Sequence, residues 1–232
     1  MSIPRVNIAF AGLTAAGKTT HARLLADHLG YEYVSATQIM LEILGIATQD
    51  TKRVWFHHMD EIEQARSGDR IDQELERRLL ELALAKEGLV LDTWAMAWIC
   101  PDPIIRIWID SDRLSRHWKC FVSQGQPPKL ALPGCATLID RKDESTRDSF
   151  LRRHNFDLFA DHAMFDAVLT NTHLISEPSP VATEEGIRLF APVVQLVADH
   201  LLGRVPWSEV QATLQGADPR QARSVLHLKT AG

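Results

Sequence analysis

The sequence predicts an α/β fold in three layers, a parallel β-sheet sandwiched between helices. Two observations carry this. Short, mostly apolar runs recur at Val6 to Phe10, Leu89 to Leu91 and Ile104 to Ile109, the pattern of strands covered on both faces. Between them, apolar residues repeat at helical spacing, so strands and helices alternate along the chain.

The elements follow in order. Val6 to Phe10 is β-favouring and stops at a glycine-containing turn. Lys18 to Leu29 places Ala22, Leu24, Leu25 and Leu29 on one helical stripe, with Gly30 as C-cap. Tyr31 to Val34 reads as a second strand, and Thr37 to Leu44 as a helix ending at Gly45. Ile71 to Lys86 is amphipathic, with Ile71, Leu75, Leu79 and Leu82 aligned and charges opposite. The strands at Leu89 and Ile104 come next. Gln124 to Gly134 is rich in proline and glycine and reads as a loop; Thr137 to His162 is charged and helical. Phe165 to Leu169 is the last strand expected, and Ile187 to Leu202 a long helix. One domain over residues 1–204 results, followed by a polar tail, 205–232, with one short helix.

Composition narrows the function. The 232 residues are 45% hydrophobic and 24% charged, as in an ordinary globular protein able to bury one core. A net charge of −5 argues against a nucleic acid polymer as partner. No apolar run is long enough to span a bilayer, so no membrane partner is expected. The three cysteines are odd in number and widely spaced, which suits a reducing cytoplasm. The ten histidines lack metal-site spacing.

The chemistry concentrates in Gly12-Leu-Thr-Ala-Ala-Gly17-Lys18-Thr19, which fits GxxxxGK[ST] between a strand and a helix. Gly12 and Gly17 let the backbone curl so that successive N–H groups face a phosphate, reinforced by the helix N-terminus. Gly12, Thr14, Ala15, Ala16, Gly17, Lys18, Thr19 and Thr20 are therefore the expected ATP-binding set. Lys18 brings a cation to the β/γ oxygens, and the Thr19 hydroxyl is a hard ligand for Mg²⁺. Asp92 ends the strand Gly88-Leu-Val-Leu-Asp92, at the sheet edge where open α/β sheets bind ligands. It is expected to hold Mg²⁺ with Thr19, or to orient the acceptor; the alternative is a simple helix cap.

These residues resemble the nucleoside monophosphate kinases, and their cytidylate-kinase-like branch in particular. The P-loop with its helix, Tyr33-Val-Ser-Ala, Ile71 to Asp92, Arg141-Lys-Asp-Glu-Ser-Thr-Arg147 and Phe165 to Thr172 carry the resemblance. It implies a P-loop NTPase sandwich with a helical acceptor-binding region near 36–87 and a lid near 122–150. It also implies that Arg141 and Arg147 close over the triphosphate as catalytic lid cations, beside Lys18 and Asp92; the alternative is an exposed helix laced with ion pairs. Arg116 and Lys119 fall where the family packs a cation on the donor base. The chain departs from the family at Leu41 and Trp94, where arginines that grip the acceptor phosphate are usual.

The function expected is an ATP- and Mg²⁺-dependent phosphotransferase acting on CMP, dCMP or a modified relative. Two alternatives stay open: a kinase for a non-nucleotide hydroxyl, and an ATP-binding regulator with little turnover. The partners expected are ATP and a small-molecule acceptor; the sequence leaves oligomeric state open.

Overall fold

Side-chain alternation along the first strand sets the architecture. In the computed structural model, which describes residues 5–46, 54–66, 68–160 and 162–229, strand β1 (Asn7–Gly12) is buried throughout. Ile8 and Phe10 point into an apolar cluster with Leu25, Phe190, Val194 and Val197. Those partners come from α1 (Lys18–Leu29) and α8 (Pro180–Leu201). Ala9 and Ala11 face the opposite cluster, with Leu79, Met96, Trp108 and Phe165. There α4 (Arg70–Ala85) and the short α5 (Met96–Ile99) cover the sheet. A period of two on a doubly covered strand thus produces the three layers.

The remaining strands are β2 (Glu32–Ser35), β3 (Leu89–Asp92), β4 (Ile104–Asp110), β5 (Ala167–Thr170) and β6 (Val225–Leu228), and the sheet order is β2-β3-β1-β4-β5-β6. β1 pairs in parallel with β3 on one side and β4 on the other, registering Phe10 with both Asp92 and Ile107. The carboxyl ends of β1 and β3 therefore open side by side. Ligands of open α/β sheets bind at such an edge.

Two expectations are corrected. The sheet is not wholly parallel: β6 runs antiparallel to β5 and closes the edge. Residues after Pro206 do not form a polar tail with one short helix. They fold as α9 (Trp207–Gly216), α10 (Pro219–Ala222) and β6. The half-exposed Val-Leu-His-Leu of β6 has no apolar run to reveal it, and its pairing rests on backbone hydrogen bonds to β5.

Three further helices frame the cleft: α2 (Ala36–Leu44), α3 (Val54–Arg66) and α6 (Arg113–Ser123). The 23-residue α7 (Leu132–His154) packs on α6. No described helix is long and apolar enough to cross a membrane.

Candidate active site

The P-loop is built by glycines that nothing else replaces. Gly12 ends β1 with φ +150°, and a Cβ there would lie 2.4 Å from the Ile109 carbonyl oxygen of β4. Gly17, at φ +100°, turns the chain into α1, so the helix N-terminus faces the cleft. Between them Ala15 holds a left-handed φ of 59°, strain of the kind that persists where a loop is shaped for a ligand.

Lys18 is folded across this loop. Its Nζ donates to the carbonyls of Gly12 at 2.6 Å and Leu13 at 2.9 Å, and lies 4.7 Å from the ring of Trp94. Burial brings its ammonium down to about 8, against the opposing pull of Asp92 and Asp143.

Thr19 and Asp92 meet at the mouth of the loop. Thr19 Oγ1 donates to Asp92 Oδ2 at 2.6 Å, and the Tyr33 hydroxyl donates to the same oxygen at 2.9 Å. Burial, and next the carboxylate, push the Tyr33 phenol up to about 12, so it remains a donor. Asp92 therefore faces Thr19 rather than capping the next helix. Two hard oxygens this close, one anionic, are a donor set that fits a Mg²⁺ ion held directly or through its waters.

Of the residues predicted from sequence, Thr14, Ala15, Gly17, Lys18, Thr19, Thr20 and Asp92 line one cavity of about 640 Å³. Gly12 and the fully buried Ala16 lie beneath it and shape the loop; the Ala16 carbonyl accepts from Asn171 Nδ2 at 2.8 Å. Arg141 and Arg147 are not brought to the cavity. Arg141 pairs with Asp60 and Glu63 of α3, and Arg147 with Asp157. The cause is helical phase: Ile139, Lys142, Asp143 and Thr146 share the inward face of α7, and the two arginines fall outside it.

Asp143 was not among the residues expected at the site. Asp143 accepts from the backbone N–H of Thr14 at 2.9 Å and pairs with Arg116, whose guanidinium also donates to the Thr14 carbonyl. Helix α7 and the P-loop are thereby joined through a buried ion pair, and Arg116 lies against the loop. Lys119 lines the same cavity, donating to Ser111 and Asn171, and burial lowers it to about 7.

A second, smaller cleft of about 70 Å³ adjoins the first, lined among others by Thr37, Met40, Arg66, Trp94, Lys142 and Arg153. Leu41 is not there; it is buried with Met40 and Ile62 in the core of the helical region. Arg66 and Arg153 bring the positive charge instead. Both are committed to carboxylates: Arg66 donates to Asp72 at 2.8 Å and Arg153 to Glu76 at 2.5 Å. Arg77 pairs with Glu74 and Glu81 on an exposed helix face, away from this cleft. No local pattern marks Arg66 or Arg153; ion pairs to Asp72 and Glu76 of α4 bring them to one cleft from α3 and α7.

The cytidylate kinase-like family matches residues 7–173. Cytidylate kinase of Halorubrum lacusprofundi is 29% identical over 161 residues, 69% of this chain and 78% of the relative. Cytidylate kinase of Desulfurococcus amylolyticus is 28% identical over 174 residues, 73% of this chain and 85% of the relative. Among solved structures, shikimate kinase from Acinetobacter baumannii superposes with a TM-score of 0.47 at 17% identity, over 87% of this chain and 94% of that one. With the family matched from the first strand to the turn after the fifth, and the P-loop, Thr19 and Asp92 gathered at one sheet edge, the chain belongs to the cytidylate kinase-like family and is a P-loop kinase.

Proposed function

We propose that this kinase transfers the γ-phosphoryl group of Mg²⁺-ATP to a nucleoside monophosphate of the CMP type. The observation that carries the reading is the Thr19–Asp92 contact at the P-loop mouth, beside a second cleft that shares Trp94 with the first. The loop backbone and Lys18 hold the β- and γ-phosphates. Lys18 exchanges its two carbonyl partners for phosphate oxygens, which are stronger acceptors. Thr19 and Asp92 would hold Mg²⁺, which when bound would supply positive charge to the phosphates. An acceptor phosphate is already anionic at neutral pH, so no general base is required.

Helix α7 screens the junction from bulk water, which favours transfer over hydrolysis. Arg141 ties that helix to α3 through Asp60 and Glu63, while Arg147 pairs with Asp157 just beyond the helix's own C-terminus. A second reading, a hydroxyl acceptor with Asp92 as base, draws on the fact that Arg66 and Arg153 already carry carboxylate partners. Incubating the protein with Mg²⁺-ATP and mononucleotides, nucleosides or small alcohols separates the two. Turnover on mononucleotides alone supports the first; turnover on hydroxyl compounds alone refutes it.

A further inference from the structure

Among the described residues, Ala36, Thr37, Trp94 and Lys142 line both the P-loop cavity and the adjoining cleft. Lys142 is the charged one of the four. A phosphoryl group passing from donor to acceptor crosses the seam that these residues form, where a fixed cation has its largest effect on the transition state.

The structure also fixes where Lys142 points. Its neighbour Asp143 is tied to the Thr14 N–H and to Arg116, and its other neighbour Arg141 to Asp60 and Glu63. Fastened on both sides, this turn of α7 holds the Lys142 side chain over the seam. Lys18 from α1, Arg66 from α3, Asp143 from α7 itself and Asp92 from the end of β3 exert the charges it meets.

We infer that Lys142 is the catalytic cation of the lid, the role that family resemblance gives to Arg141 and Arg147. The inference rests on the kinase reading and adds a residue to it. In the step, the bond from the γ-phosphorus to the β,γ-bridging oxygen breaks, its electron pair leaving on ADP. A bond to an acceptor oxygen forms. Lys142 makes and breaks no covalent bond; its ammonium donates to the equatorial oxygens while charge is spread over them. Burial, and next the positive charges of Lys18 and Arg66, bring Lys142 down to about 7, so an arriving anionic phosphoryl group is what completes its protonation.

Lys142→Met and Lys142→Arg test this in the full-length protein. Lys142→Met is expected to lower kcat by about 10²- to 10³-fold while leaving affinity for Mg²⁺-ADP unchanged. Lys142→Arg, which keeps the charge, recovers most of the rate. A readout independent of the acceptor is calorimetric affinity for Mg²⁺-ADP with aluminium fluoride, which mimics the phosphoryl group in flight. Lys142→Met should bind that complex roughly 10- to 100-fold more weakly than the wild type does. Equal fluoride-complex affinity in the two proteins overturns the inference, as does a folded Lys142→Arg no better than Lys142→Met. A wild-type protein that phosphorylates no mononucleotide would refute the acceptor reading, and the fluoride arm would still decide the role of Lys142.

Discussion

Asp143→Asn isolates the charge that joins helix α7 to the P-loop. The substitution keeps the side chain's shape and leaves an oxygen to accept from the Thr14 N–H. It removes the counter-charge of Arg116, whose side chain is 6% exposed against 3% for Asp143. Breaking a buried pair from one side costs about 3–5 kcal/mol, because the remaining charge stays desolvated and unpaired. For a domain of this size each kcal/mol moves the melting temperature by about 2–4 °C, so a drop of roughly 6–20 °C is expected. Replacing both partners, Arg116→Met with Asp143→Leu, removes the orphaned charge and should recover most of that loss. It still leaves the Thr14 N–H without its acceptor, a residual cost of about 1–3 kcal/mol. Thermal denaturation followed by circular dichroism gives both numbers. A single variant melting within about 2 °C of wild type would refute the reasoning, as would a double variant less stable than Asp143→Asn.

Asp92→Asn should lower turnover by orders of magnitude while weakening ATP binding little, because in the proposed function its carboxylate serves the metal rather than the nucleotide; unchanged kinetics, or full activity in excess chelator, would contradict this. Stability should respond to Lys119 and Lys142, which burial holds near 7 against an ordinary lysine near 10.5. Between about pH 7 and 10.5 the unfolded chain holds more protons on these two groups than the folded one, so their contribution to stability grows as pH rises. Urea denaturation across that window should show a shallower pH slope in Lys119→Met/Lys142→Met than in wild type; parallel slopes would contradict it.

What could be read from sequence was what is local. The P-loop is eight contiguous residues whose shape is set by Gly12, Gly17 and the flanking strand and helix, and Asp92 is identified by ending a strand. The three layers followed because apolar runs and helical stripes alternate without interruption. Non-local pairings stayed hidden. Which face of α7 meets the cleft depends on how that helix docks against α3, α4 and α6, so Arg141 and Arg147 were expected inside where Lys142 and Asp143 sit. Arg66 and Arg153 are 87 positions apart in sequence and meet at one cleft through tertiary packing. β6 was missed because an edge strand is held by its backbone and only half by its side chains.

The central claim, phosphoryl transfer from ATP to a mononucleotide through this P-loop, is tested most directly by steady-state kinetics across the natural mononucleotides, with Lys18→Ala in parallel. The account predicts Mg²⁺-dependent formation of a nucleoside diphosphate, strongest with CMP-type acceptors and abolished in the folded Lys18→Ala protein. Leu41 lies in the core and Trp94 contributes no charge, so up to two acceptor–arginine contacts are missing, each worth about one to two decades of binding. Plain CMP should therefore be bound weakly. Conversion of no mononucleotide, or turnover that survives Lys18→Ala, would contradict the account.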